Sequence, residues 1–159
     1  MSSRQWSRER PILEFNPNVL TSEEYLVGEI ERILGLNKRD AEFFIGKTSG
    51  TAYRRVHEIV ASVLDRFSSS IPGDPSLLTE LARGLILVRY QASRGQVSES
   101  LANYLDNMLR TIIDKAKSTI EKARSSREEV MKRWEDVKRL ARNARSILDA
   151  LAVLVYQYT

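Results

Sequence analysis

Residues 51–68, TAYRRVHEIVASVLDRFS, place Tyr53, Val56, Ile59, Val60, Val63, Leu64 and Phe67 on one stripe at steps of three and four. The opposite face carries Arg54, Arg55, Glu58, Ser62 and Asp65. A segment patterned in this way is an amphipathic helix with one side in a core, and the same period recurs on both sides of it. Upstream, Thr21 and Glu24 have capping-box spacing, and Tyr25, Leu26, Ile30, Ile33 and Leu34 follow at helical intervals up to Gly35. Ala41, Phe43, Phe44 and Ile45 predict a short helical turn that pins the N-terminal stretch to the core. Downstream, Ser68, Ser69, Ser70, Pro72, Gly73 and Pro75 make a loop rich in breakers.

The next segment, Leu77 to Tyr90, is apolar nearly all round, which predicts the central and most buried helix of a bundle, closed by Gly95. Ser98 is placed to cap a long fourth helix running through Leu101, Tyr104, Leu105, Met108, Leu109, Ile112, Ile113, Ala116 and Ile120. Ser125 or Ser126 is placed to cap a fifth, with Glu128 and Glu129 in its first turn. Its core stripe is Val130, Trp134, Val137, Ala141, Ala144, Leu148, Leu151 and Val155. Strand-like alternation and internal repeats are absent. The expectation is an all-α protein: a compact bundle of about five helices over residues 21–159, with an extended arm over residues 1–20 that contains Pro11 and Pro17.

Composition narrows the chemistry. With 159 residues, 42% of them hydrophobic, one domain can bury a core without cross-links. There is no cysteine, which removes disulfides, thiolate zinc sites and iron–sulfur clusters. The N-terminus, with Arg4, Trp6, Arg8 and Arg10, lacks the apolar run of a signal peptide. No segment reaches the roughly 20 apolar residues that span a bilayer. A cytoplasmic protein without membrane partners is expected.

Catalytic machinery is hard to find. Gly46, Lys47 and Thr48 have the ending of a phosphate-binding loop, but Ala41 stands where that loop requires a glycine. These residues read better as a helix entry in which Thr48, Ser49 or Thr51 caps the 51–68 helix. His57 is the only histidine and has no second imidazole or thiol to join it, so it reads as a surface or half-buried structural residue. Carboxylates such as Glu128, Glu129, Glu135 and Asp136 alternate with Lys132, Arg133, Lys138 and Arg139, as in an ion-paired helix face. No enzyme activity, metal or cofactor is expected.

The basic residues say more, at a net charge of +4. Arg83, Arg89 and Arg94 stand on an otherwise apolar helix and must emerge at an edge of the bundle, with Arg83, Tyr90 and Arg94 on one side. Gly84, Ala92, Ser93 and Gly95 would let a phosphate backbone approach, although arginines at the end of a core helix also serve to cap it and to pair with neighbouring carboxylates. Arg139, Arg142 and Arg145 form a ridge on the last helix, joined by Lys115, Lys117, Lys122 and Arg124. Such a ridge suits salt-dependent contact with a nucleic-acid backbone, and a solvated helix face accounts for it equally. If the Arg54–Arg55 face meets the Arg94 face, the two make one cationic strip.

The segment Tyr90, Gln91, Ala92, Ser93, Arg94 closely resembles the tyrosine, glutamine, alanine, glycine, arginine signature of the small subunit of type III-A CRISPR effector complexes, the Csm-complex small-subunit family. The order of elements is similar over roughly residues 48–158: a helix after a Thr/Ser-rich turn (Lys47 to Tyr53), an apolar helix ending in the signature (Leu77 to Arg94), and a closing helix ending in aliphatics and tyrosine (Ala150 to Tyr156). The chain departs from that pattern at Ile86 and Leu87, where a lysine is common, at Ser93 in place of glycine, and at Gln157 in place of histidine. The corresponding subunits of type III-B and type I-A complexes are also basic helical bundles. The resemblance implies a non-catalytic subunit that stacks with further copies of itself, contacts other subunits of the effector complex, and supports guide RNA and target RNA. A helical protein-interaction adaptor without a nucleic-acid role is the alternative.

Overall fold

The computed structural model describes residues 12–71, 75–122 and 127–159. Among them the chain forms seven helices and no strand: α1 (Asn18–Thr21), α2 (Glu23–Leu34), α3 (Lys38–Ile45), α4 (Gly50–Ser68), α5 (Pro75–Ser93), α6 (Glu99–Lys122) and α7 (Arg127–Tyr158). The all-helical bundle expected from periodicity is the fold, with seven helices in place of about five, because α1 and α3 add short elements to the longer ones. None of the described helices is long and apolar enough to cross a membrane.

Helical order reaches into the stretch expected to be an extended arm. Asn16 Oδ1 accepts the Asn18 amide at 3.0 Å and starts α1, and Leu13, Phe15, Val19 and Leu20 are buried. Phe15 sets its edge on Tyr104 with ring centroids 5.5 Å apart. Residues 1–11 lie outside the described residues, as do Ser125, Ser126 and Arg124. The capping box expected at Thr21 is not formed: Thr21 ends α1 and donates back to the Asn18 carbonyl, while α2 begins at Glu23.

The largest correction concerns the centre of the bundle. The 32-residue α7 packs against α1, α2, α3, α4 and α6, whereas α5 touches α4 and α6 alone among the described helices. With two neighbours, α5 buries Leu77, Leu81, Gly84, Val88, Gln91 and Ala92 and leaves its outer side in solvent. Ile86 is 68% exposed and Tyr90 54% exposed. Tyr90 therefore does not pack in the core beside Ile86; both stand on an apolar outer ridge. Gly84 is also inside, with Val60 and Leu109 against it, and offers no approach to a phosphate.

The expected α7 stripe is observed from Trp134 onward, while Val130 is only partly buried. Trp134, Val137, Ala141, Ala144, Leu148, Leu151 and Val155 are buried. Trp134 stacks on Phe67 and donates its indole N–H to Ser70 Oγ at 3.0 Å, which ties the end of α4 to α7. Asn143 Nδ2 donates to the Leu20 carbonyl at 2.7 Å, and Tyr104 donates to the buried Glu29 carboxylate at 2.8 Å. These bonds satisfy polar groups that would otherwise destabilise the core.

Candidate nucleic-acid interface

Two loops fix the site. Thr48 Oγ1 donates to the Ile45 carbonyl and accepts the Ser98 amide at 2.9 Å. Ser98 Oγ in turn donates to the Phe44 carbonyl at 2.7 Å and caps α6 by accepting the Leu101 amide at 3.1 Å. The Ser49 amide donates to the Gln96 carbonyl at 2.8 Å, and Ser49 Oγ accepts the Ala52 amide at 3.2 Å as the N-cap of α4. Gly95, at φ +71°, turns the chain out of α5, in a conformation that residues with a Cβ seldom adopt. The beginning of α4 is thereby stapled to the end of α5.

The consequence is that Arg54 and Arg55, in the first turns of α4, meet Arg94, just past the end of α5. With Ser49, Thr51 and Gln91 they line an open groove of about 460 Å³. None of the three guanidinium groups makes an ion pair among the described residues; Glu58 is the acid in the lining. The positive end of the α4 dipole adds to their field, while part of the Arg94 charge is opposed by the negative end of α5. Gln91 is only 7% exposed, and its side chain has no hydrogen-bond partner among the described residues, so its amide is available to the groove. Arg94 lies over the Tyr90 ring at 5.4 Å, and Arg54 over the Tyr156 ring at 5.9 Å.

The seam between α4 and α5 continues into a second hollow of about 340 Å³ bordered by Glu58, Ile59, Arg66, Glu80 and Arg83. Arg66 pairs with Glu80 at 2.6 Å; Arg83 is exposed and makes no ion pair among the described residues. Arg83 precedes Arg94 by about 16 Å along α5. The two faces thus meet, bringing Arg54, Arg55 and Arg94 to one groove, with Arg83 in the neighbouring hollow.

The other basic residues stand apart. Arg89 faces α6, where it bonds Asp106 at 2.9 Å and Asn103 at 3.0 Å and lies 3.7 Å from Glu99. Burial raises the Asp106 pKa, but hydrogen bonds from Arg110 and Arg89 outweigh that and hold the carboxyl below its ordinary value. Arg89 is therefore part of a structural ion network. Arg145 is held by Asp65 at 3.1 Å and by Asp149, and Arg139 pairs with Asp136 at 3.4 Å. Arg142 is exposed without an ion pair among the described residues, so the α7 ridge is largely neutralised. His57 is half-buried, with Nε2 3.0 Å from Asp149 Oδ1, a structural link from α4 to α7. The Tyr156 ring joins the site only in the structure; Tyr90 and Gln91 stand in the signature segment of the sequence, though nothing there shows that Gln91 faces the groove.

The chain matches no protein-family model, no curated protein and no solved structure.

Proposed function

We propose that this protein is a non-catalytic RNA-binding subunit, the small subunit of a type III CRISPR ribonucleoprotein, whose α4/α5 seam supports the backbone of guide RNA or target RNA. The observation that carries the reading is the convergence of Arg54, Arg55 and Arg94 on one groove without carboxylate partners. Arginines left unpaired beside one another repel, and a phosphate chain is the ligand that relieves this. Gln91 and Arg94 of the Tyr90 to Arg94 segment line that groove, which brings part of the resemblance to the same place. In this reading the protein works in the cytoplasm, without a cofactor, beside other subunits and further copies of itself.

The test is fluorescence anisotropy of labelled RNA with the purified full chain over a range of salt concentrations. Reversing Arg54, Arg55 and Arg94 to glutamate should weaken binding strongly at low salt. It should also flatten the log-affinity against log-salt slope by about 0.7 for each single-strand phosphate that the variant no longer neutralises. Sequence preference should not change, since phosphate contacts position a strand without reading it. An unchanged affinity and slope in a folded triple variant would overturn the proposal.

One observation favours a second reading. The apolar outer ridge of α5, with Ile86 and Tyr90 in solvent, is what a helical protein-interaction adaptor would present. In that case the triple reversal leaves RNA binding negligible before and after.

A further inference from the structure

We infer that the seam takes single-stranded nucleic acid, with bases stacked on Tyr90 and Tyr156 and the phosphates between them on Arg54, Arg55 and Arg94. This rests on reading the seam as a phosphate track and adds which form of nucleic acid fits it.

Tyr90 and Tyr156, each beneath an arginine of the groove, differ from the two buried tyrosines of the core. Tyr53 and Tyr104 are buried, with hydroxyls bonded to the Leu148 carbonyl and to Glu29. Tyr90 is 54% exposed and Tyr156 42% exposed, and neither hydroxyl has a partner among the described residues. Each ring is covered on one side by a guanidinium that also lines the groove, Arg94 on Tyr90 and Arg54 on Tyr156. A ring held in this way is oriented; Tyr90 keeps more than half of its surface in solvent for a base, and Tyr156, which also packs on Tyr53, keeps less. A cation above one face of a ring also immobilises it at little further entropic cost, since the arginine is needed for the phosphate in any case.

The groove is thus lined by three arginines, two of which, Arg54 and Arg94, also lie over exposed tyrosine rings next to it. A single strand offers both counterparts, phosphates along its backbone and bases free to turn outward onto flat side chains. A duplex of the same length has its base faces already stacked on one another and can offer only its backbone. The unpartnered amide of Gln91 adds a donor and an acceptor that any base edge or sugar hydroxyl can meet.

The experiment compares a labelled single-stranded oligonucleotide with a duplex of equal length, using the purified full chain. Tyr90→Ala should lower single-strand affinity about five-fold or more, with the salt slope unchanged because no charge is removed. Tyr90→Phe should restore it, and duplex binding should not respond to either. A 2-aminopurine base in the strand should be quenched by the wild-type chain and less so by Tyr90→Ala. Tyr90 carries the test because Tyr156 also packs on Tyr53, with ring centroids 6.1 Å apart, so that Tyr156→Ala disturbs the fold. If Tyr90→Ala leaves single-strand binding unchanged, or weakens single strand and duplex alike, the stacking inference is overturned while the phosphate track stands. If the triple arginine reversal also changes nothing, both fall.

Discussion

The Ser98 amide donates to the Thr48 hydroxyl at 2.9 Å across fifty residues of sequence, and together with the Ser49 amide bond to the Gln96 carbonyl it joins the loop that opens α4 to the loop that follows α5. Thr48→Val removes the acceptor and leaves a part-buried N–H without a partner, a loss of about 1–3 kcal/mol. Thr48→Ser should retain most of the stability. If the bond also sets the separation of Arg55 and Arg94, thermal melts and RNA titrations of Thr48→Val should both report a loss. A variant that melts early but binds RNA normally would show that the groove does not depend on the staple.

Arg89 separates structure from binding. It lies on the same helix as Arg83 and has the same chemistry, yet its partners are Asp106 and Asn103. Arg89→Ala should lower stability and leave RNA affinity nearly unchanged, the reverse of Arg94→Ala. Urea titration beside anisotropy on the two variants checks this.

The Asp106 carboxyl is held below its ordinary value by two arginines. A depressed folded-state pKa means that its contribution is present above the unfolded-state value of about 3.9 and is lost as pH falls through the folded-state value. Acid denaturation followed by circular dichroism should therefore be less steep in Asp106→Asn, which starts from a lower stability near neutral pH because it weakens both arginine bonds.

At the alkaline end the sign is opposite. Burial pushes the Tyr53 hydroxyl far up, helped by Tyr156 and Asp149, and burial with the neighbouring Glu29 does the same to Tyr104. Their contribution is complete below about pH 10 and is lost as the pH rises beyond it. Ultraviolet difference spectra should show these two phenols ionising only with unfolding, and Tyr53→Phe should reduce the alkaline sensitivity.

Gly84 sits mid-helix in α5, where a Cβ would meet Val60 Cγ2 at 3.6 Å and Leu109 Cδ1 at 3.7 Å. Those are ordinary contacts. Gly84→Ala should raise stability by about 0.5–1 kcal/mol through the lower conformational entropy of the unfolded chain, measured by chemical denaturation. A decrease would mean that α4 and α6 cannot accommodate the methyl group.

The sequence made α4 and α7 legible because each has one apolar stripe and one set of neighbours to receive it. For α5 the same reasoning misplaces the centre: periodicity reports how much of a helix is apolar, and it is silent on whether a neighbour covers it. Ile86 and Tyr90 do stand side by side, as their spacing requires, but outside the core. At four residues, α1 is too short to show any period; Asn16 and the burial of Val19 and Leu20 specify it instead. Arg54, Arg55 and Arg94 can be picked out as residue types. Their meeting depends on the Thr48–Ser98 and Ser49–Gln96 bonds, which no local pattern announces.

The position of α7 also bears on how the protein comes to be made. Tyr53 reaches its acceptor, the Leu148 carbonyl, over ninety-five residues, and α7 is a neighbour of α1, α2, α3 and α4. On the ribosome these four helices emerge well before their partner. Until residues beyond 127 clear the exit tunnel, α5 can cover the Val60 side of α4, but Tyr53 and Phe67 lack the Leu148 carbonyl and the Trp134 ring that hold them. Nascent chains stalled before α7 should be sticky, chaperone-bound and sensitive to protease, and synthesis of α7 should give these helices the neighbour they pack on.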